Sequence, residues 1–276
     1  MAAHIERHAF AANPARAKWY FDNKLNQIDA AQKSGFTIPE TLVSNSPEEI
    51  EAFIRHTGGC VVKPLRFLQW DTGHSNVEVF TTPIKSIASF DPETVSACPM
   101  IYQRQILKAS EYRVVVFGRQ IMCYEILSQD SPGSEDDWRM IRYLGLRLRP
   151  ASLPTDLEDR ILAFMSHCGL VYGSLDFALT PTGDIVFFEV NETGQFLWIE
   201  EILPDELLLD MFAEFLLAAD PQFKYRPHRE PVRFADWRAN GVKAVVASRS
   251  RHVKTHLDRR YADQTADLAS VMETAS

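Results

Sequence analysis

Residues 172–200 read YGSLDFALTPTGDIVFFEVNETGQFLWIE, and the pairing of the two halves of that stretch decides the fold. Tyr172–Leu179 and Asp184–Val190 are rich in aromatic and β-branched residues, which predicts two strands. Thr180-Pro181-Thr182-Gly183 between them is turn chemistry. A four-residue turn pairs Leu179 with Asp184 and sets Asp176 opposite Phe187. Side chains alternate across a strand, so this register puts Asp176 on the face that carries Glu189 and Asn191. Two carboxylates and an amide oxygen on one rigid face suit a hard cation such as Mg²⁺ shared with phosphate oxygens. A slip of one residue turns Asp176 away. Acids on strands ordinarily face water, but Glu189 lies in Ile-Val-Phe-Phe-Glu-Val, and a buried, unpaired carboxylate is costly. Glu189 is therefore expected to meet a cation.

The chain of 276 residues is long enough for a large core, in one elaborated domain or two subdomains. Its net charge of −8 argues against a general nucleic-acid binder. No apolar run reaches the length of a membrane span, and residues 1–15 lack the apolar core of a signal peptide. Cys60, Cys98, Cys123 and Cys168 have no metal-like spacing. Their apolar surroundings predict reduced core thiols in the cytoplasm.

Upstream, the pattern alternates helix and strand. A helix begins at Asp22 with Leu25 and Ile28 on one face and stops at Gly35. A short strand covers Thr41–Val43. Ser46-Pro47-Glu48-Glu49 is a capping box with proline at the first helical position, and it heads a helix with an Ile50, Phe53 and Ile54 face. Gly58-Gly59 ends that helix, and Cys60–Lys63 is a strand. Residues 71–75 read as a mobile loop tip. Strands follow at Val77–Thr81, Met100–Ile106, Tyr112–Phe117 and Gln120–Ile126, with Phe117-Gly118-Arg119-Gln120 as a hairpin turn. Ser128–Asp137 is polar, and Trp138-Arg139 opens an extended stretch. Thr155-Asp156-Leu157-Glu158 is a second capping box, heading a helix to Cys168 with Gly169 as its cap. A last helix is predicted over Pro204–Ala218. Residues 248–276 are polar and read as a surface helix or a partly disordered tail.

The candidate cations each have an ordinary alternative. Lys24 is at a helix start, where a solvated lysine is common. Lys63 ends an apolar strand, where a lysine is unfavourable unless it meets an anion. Arg113 shares a strand face with Glu111, so a structural ion pair competes with a role in a site. Arg139 follows a flexible acidic loop and has the reach to meet a γ-phosphate, or is simply a surface arginine. No GxxxxGK[ST] loop occurs. His74 and His167 have no nucleophile or ligand partner nearby, and no Ser-His-Asp or Cys-His arrangement is supported.

Asn23-Lys24-Leu25, Gly35-Phe36-Thr37-Ile38-Pro39-Glu40-Thr41, Val61-Val62-Lys63-Pro64, Glu111-Tyr112-Arg113 and Phe188-Glu189-Val190-Asn191 occur in the order found in ATP-grasp ligases. Ser128-Gln129, Asp137-Trp138-Arg139 and Asn191–Glu200 resemble the graspetide (microviridin-type) peptide maturases, relatives of the ribosomal-protein glutamate ligases. The likeness covers residues 10–218.

It implies an α+β fold, two subdomains clasping ATP, at residues 21–100 and 101–220, after an N-terminal segment 1–20. Against the resemblance, the usual pre-ATP-grasp domain is expected to be absent, so that the chain would begin near the core as a natural short form or a truncation. Residues 221–276 match nothing familiar and leave a partner surface or a homodimer contact open. The resemblance assigns the adenine to the linker Gln103, Arg104, Gln105 and Ile106, with Glu111 also on the nucleotide. Lys24 and Lys63 would contact phosphates, and Asp176, Glu189 and Asn191 would hold Mg²⁺. Arg139 and Arg113 would steady the γ-phosphate and an acyl phosphate. Arg104 departs from the acid common at its position.

The expected activity is an ATP-dependent, ADP-forming ligation. A carboxylate of a precursor peptide is phosphorylated and then captured by a hydroxyl or amine, closing an ω-ester or ω-amide macrocycle. Two alternatives stand beside it. One is a ligase that adds an amino acid or amine to a peptide or small molecule. The other is a non-catalytic nucleotide- or peptide-binding protein on the same fold.

Overall fold

The computed structural model describes residues 6, 8–66, 69–71, 76–78, 81–130, 134, 137–141 and 145–239. Residues 72–75 of the predicted loop tip, most of the polar stretch between Asp130 and Asp137, and the tail 248–276 lie outside them, whereas Asp71, expected in that tip, ends a strand. The chain divides into two compact units. The first takes in 1–196 and 214–225, the second 197–213 and 226–276.

In the first unit the elements run α1 (Ala15–Phe21), α2 (Lys24–Lys33), β1 (Thr41–Ser44), α3 (Pro47–Thr57), β2 (Cys60–Lys63), β3 (Gln69–Asp71), β4 (Asn76–Glu78), β5 (Thr82–Ile84), α4 (Pro92–Ala97), β6 (Met100–Arg104), β7 (Ser110–Phe117) and β8 (Gln120–Ile126). A 3-10 turn at Trp138–Ile141, β9 (Leu148–Ala151), α5 (Thr155–Cys168), β10 (Tyr172–Leu179) and β11 (Ile185–Asn191) complete it. A four-stranded sheet has the order β1-β6-β2-β5, and a five-stranded sheet the order β11-β10-β7-β8-β9. All their strand pairs are antiparallel.

Each sheet has its own apolar layer. Ile50 and Ile54 of α3 close over Cys60 and Tyr102 of the smaller sheet. Leu157, Ile161 and Phe164 of α5, with Ala30 and Ala31 of α2, pack against Val114, Val116, Leu175, Phe177, Phe187 and Val190 of the larger one. Alternation explains why Val114 and Val116 face this core while Glu111, Arg113 and Val115 share the opposite face. Farther along that second face, Phe117 meets Tyr172, Phe196 and Phe215 with ring centroids 5.1–6.0 Å apart.

The register of the β10–β11 hairpin departs from expectation. The turn holds five residues, because Leu179 pairs with Ile185 rather than Asp184. Continued unbroken, that register would set Asp176 opposite Phe188 and send Glu189 to the core. A bulge at Phe188 inserts one residue, so Phe177 pairs with Phe187 but Asp176 pairs with Glu189. The two shifts cancel in face. Phe187 and Val190, three apart in a strand, both enter the core, while Glu189 shares the second face with Asp176.

Smaller corrections have equally local causes. Thr155 is the first helical residue of α5 and Pro154 occupies the cap position, with no side-chain cap bond. At α3 the Ser46 side chain does accept from Glu49 N, at 3.4 Å, but the Glu49 carboxylate turns to Ser44 Oγ instead of completing the box. Trp138–Ile141 is a 3-10 turn and not a strand. Of the predicted strand 77–81, Val77 and Glu78 belong to β4, which ends there, and Thr81 lies in no strand. Met100–Arg104 stops two residues short of the predicted strand end. Cys60, Cys123 and Cys168 are buried free thiols, whereas Cys98 is exposed, just past the end of α4. The buried face of α2 is Gln27, Ala30 and Ala31, not Leu25 and Ile28.

In the second unit, α6 (Leu197–Ile202) precedes α7 (Leu208–Ala218), whose last turn belongs to the first unit. The helix predicted over Pro204–Ala218 begins only at Leu208, because Leu203–Glu206 closes a turn and Leu207 takes φ +51°. Two buried carboxylates organise this unit. Glu200 accepts from Leu209 N and Phe234 N, each at 2.7 Å, and Asp210 accepts from Val232 N at 2.7 Å and faces His228 at 3.0 Å.

Gln27 fixes α2 to the outer edge of β11. Its Nε2 donates to Phe21 O (2.6 Å) and Val190 O (2.9 Å), and its Oε1 accepts from Val190 N (2.9 Å). Gln27→Ala strands a buried amide and two carbonyls, and should cost about 2–4 kcal/mol. Equilibrium urea unfolding measures this; a loss below about 0.5 kcal/mol, the range of an ordinary surface substitution, would show that water replaces the side chain freely.

Candidate functional site

A cavity of about 430 Å³ is lined by residues from β2, β6, the segment after β6, β7, β10, β11, the start of α2 and the 3-10 turn. Among the described residues its lining carries the cations Lys24, Lys63, Arg104, Lys108 and Arg139 against the acids Glu111, Asp137, Asp176 and Glu189.

Glu189 is the hub. Asn23 caps α2, its side chain accepting from Leu25 N at 2.9 Å, which leaves Lys24 as the first helical residue. Lys24 forms an ion pair with one Glu189 oxygen. Arg139 approaches the other at 3.3 Å while Asp137 grips it from behind, at 2.8 Å to Nε and 2.7 Å to Nη2. Burial by itself raises the Glu189 carboxyl, but Lys24, Arg139 and Lys63 outweigh it and hold the group well below the usual range. The expected cation partner exists, and there are two.

Lys63 ends β2 with Nζ 5.0 Å from the centroid of the Phe188 ring, the bulged residue. Burial pushes its amine down to about 8, with Lys24 and Arg139 pushing the same way and Glu189 opposing. Asp176 faces Glu189 across the strand pair and takes both oxygens to Arg113 Nη1, at 2.9 and 2.8 Å. Burial raises its carboxyl against the pull of Arg113, with Glu189 adding to the rise.

The remaining expected residues are distributed along the wall. Gln103, buried, donates to Thr41 Oγ1 at 3.0 Å. Arg104 pairs with Glu40 at 2.8 Å, and Glu40 also meets His56 at 3.0 Å. Gln105 and Ile106 line the cavity. Glu111 does not pair with Arg113; Lys108 reaches it at 2.9 Å, and burial raises its carboxyl in spite of that lysine.

Two expected residues do not line the cavity. Arg113 is buried behind Asp176. Asn191 shares the face of Glu189, but its Oδ1 accepts from Thr193 N (3.0 Å) and Thr193 Oγ1 (2.7 Å). Sequence reasoning assigned no role to Lys108 or Asp137. The i,i+3 spacing of Lys108 with Glu111, and the Asp-x-Arg spacing at 137–139, were the available signals.

The donor set fits a polyphosphate with a divalent cation. Two carboxylates stand side by side, Lys24 and Arg139 meet one of them, and Lys63, half-buried, has no ion pair among the described residues. Among the described residues no three acidic, histidine or cysteine side chains gather as a metal cluster, so the carboxylate pair needs ligand oxygens or the Asn191 amide to complete a coordination shell.

No protein-family model matches the chain, and no curated protein matches it. Solved structures do. A Chryseobacterium gregarium RiPP-associated ATP-grasp ligase, in complex with ADP and a leader and core peptide, is 31% identical with a TM-score of 0.65, over 70% of this chain and 59% of that one. The macrocyclase MdnC of Microcystis aeruginosa MRC, bound with precursor peptide MdnA, is 32% identical with a TM-score of 0.66, over 76% and 66%. The macrocyclase MdnB of the same organism is 27% identical with a TM-score of 0.59, over 79% and 64%. The chain thus spans about three-fifths to two-thirds of the length of these structures. It has the ATP-grasp fold, and its likeness is to the RiPP ATP-grasp ligases.

Lys63→Met should raise the melting temperature of the ligand-free protein by a few degrees at neutral pH, because it removes a cation that burial penalises. The same change should weaken tripolyphosphate binding about tenfold. In the wild type the anion needs the protonated amine, so affinity should be full below about pH 8 and fall above it. Calorimetric titration across that range checks the slope, which the variant should flatten. A lower melting temperature for Lys63→Met would reverse this account of the lysine.

Proposed function

We propose that this chain, an ATP-grasp protein by fold, is an ADP-forming ligase that joins a side-chain carboxylate of a ribosomally made precursor peptide to a side-chain hydroxyl or amine. The product is an ω-ester or ω-amide macrocycle. The observation that carries the reading is the gathering of Lys24, Lys63 and Arg139 around the Asp176–Glu189 pair in a cavity of nucleotide size. The likeness to ligases solved with ADP and with precursor peptides supports it.

In this reading a peptide carboxylate oxygen bonds to the terminal phosphorus of ATP as ADP leaves. A hydroxyl or amine then bonds to the acyl carbon as phosphate leaves, so the peptide loses one water per bond. Lys24, Lys63 and Arg139 supply N–H donors to the phosphate oxygens and neutralise charge that accumulates during transfer. Asp137 keeps the Arg139 fork aimed. Asp176 and Glu189 would hold Mg²⁺, with Asn191 joining once its oxygen leaves Thr193. The metal, when bound, supplies Lewis-acid charge to the phosphates. Gln103, Arg104, Gln105 and Ile106 would seat the base, and Glu111 lies on the same wall. The buried free thiols at Cys60, Cys123 and Cys168 suit a reducing, cytoplasmic setting.

Mg²⁺-dependent ADP release, with peptide mass read in the same tube, tests the proposal. Peptide-stimulated ADP release accompanied by loss of one water mass per bond is the expected result. A mass gain matching an added amine would replace macrocyclisation by amine addition. Glu189→Gln should retain the fold by circular dichroism and lower turnover at least about a hundredfold. Wild-type ADP release by that variant would remove Glu189 from the metal site.

A further inference from the structure

Arg113 is 3% exposed, and its two terminal nitrogens are both engaged. One binds the Asp176 carboxylate. The other donates to Gly194 O at 2.7 Å and Gln195 O at 2.9 Å. The remaining donor, Nε, is buried without a hydrogen-bond partner. An arginine in this state presents no N–H edge to a ligand in the cavity.

The carbonyls that it holds belong to a series. Glu192 O accepts from Asn13 Nδ2 at 2.7 Å, and Thr193 O accepts from the Tyr172 hydroxyl at 2.6 Å. Four successive carbonyls, 192 to 195, are thus captured by three side chains from the N-terminal segment, β10 and β7. Asn13 is itself tied down by Val171 N, Tyr172 N and Tyr172 O. The turn's own backbone closes with Gly194 N to Asn191 O and Gln195 N to Thr193 O, both at 3.1 Å. Its conformation is costly. Gly194 has φ +79°, a Cβ there would lie 2.0 Å from the Tyr172 hydroxyl oxygen, and Gln195 takes φ +49°. Strain of this kind persists only where surrounding contacts over-determine the backbone.

We propose that Arg113 is a positioning residue, which fixes the Asn191–Gln195 turn to Asp176 and thereby to the cavity. Its planar fork holds a carboxylate and two carbonyls at once. A lysine, with donors at a single point, keeps the charge opposite Asp176 but cannot span both sets. Tyr172 and Asn13 are the second and third clamps on the same turn, and neither lines the cavity. The kinetic part of the test rests on the ligase reading; the exchange and binding parts do not.

Arg113→Lys and Tyr172→Phe are compared with wild type in three measurements. Hydrogen exchange of the 193–196 amides in the ligand-free protein should speed up at least about tenfold in both variants. Affinity for ADP without Mg²⁺ should stay within about threefold in both, since neither side chain lines the cavity. On the ligase reading, kcat/KM for the peptide should fall to a similar degree in both variants, about tenfold, because both release the same turn.

A tenfold loss of affinity for metal-free ADP in Arg113→Lys, absent from Tyr172→Phe, would make Arg113 a ligand contact and overturn the proposal. Unchanged exchange in both variants would overturn it as well. If Arg113→Lys fails to fold, Tyr172→Phe alone decides by the same exchange criterion. Absence of turnover by the wild type would count against the ligase reading and leave the exchange result to judge Arg113.

Discussion

Glu189 lies on a strand whose neighbours Phe187 and Val190 belong to the core, and a carboxylate there is tolerable only if positive charge meets it. Lys24 comes from the start of α2, Arg139 from the 3-10 turn braced by Asp137, and Lys63 from the end of β2 in the other sheet. Elements far apart in sequence are therefore held around one charge. Desolvation of an ion costs several kcal/mol, and breaking such a cluster leaves the residual charges uncompensated. The surroundings of the cavity are organised by this balance.

Neutralising Glu189 is useful only if it faces Asp176, and the bulge at Phe188 arranges that. It lets the core claim Phe187 and Val190 while Glu189 joins the opposite face. The same inserted residue supplies the ring beneath Lys63. Gln27 then closes the exposed edge of β11 by satisfying both polar groups of Val190, which stops the strand from sliding back into register. Packing, hydrogen bonding and the charge cluster depend on one another here, because a shift of one residue would put the Glu189 carboxylate in the core.

The second face of the larger sheet changes character along its length. Near β11 it holds Glu189, Asp176 and Arg113; farther along, the rings of Phe117, Tyr172, Phe196 and Phe215 replace charge. Arg113 sits where the two regimes meet and divides its fork between Asp176 and the Gly194 and Gln195 carbonyls. That position explains why an arginine can be almost completely buried, and why the turn after Asn191 tolerates two residues at positive φ.

Composition, element order and most helix ends were legible in the chain, because they depend on local chemistry. Gly58 and Gly169 stop their helices in the left-handed conformation, Gly118 turns its hairpin, and the apolar run around Glu189 announced a carboxylate in need of a cation. The ordered motifs also pointed to the ATP-grasp fold that structural comparison bears out. Tertiary structure alone decided the rest. The five-residue turn and the bulge shift the register in opposite senses, so a sequence reading reaches the right face through the wrong pairs. The partner choices, Lys108 rather than Arg113 for Glu111 and Thr193 rather than the cavity for Asn191, depend on distances that no spacing encodes. Local preference sets where strands and helices begin and end, but which buried charges meet is fixed by three-dimensional packing, where each alternative pairing leaves an ion without compensation.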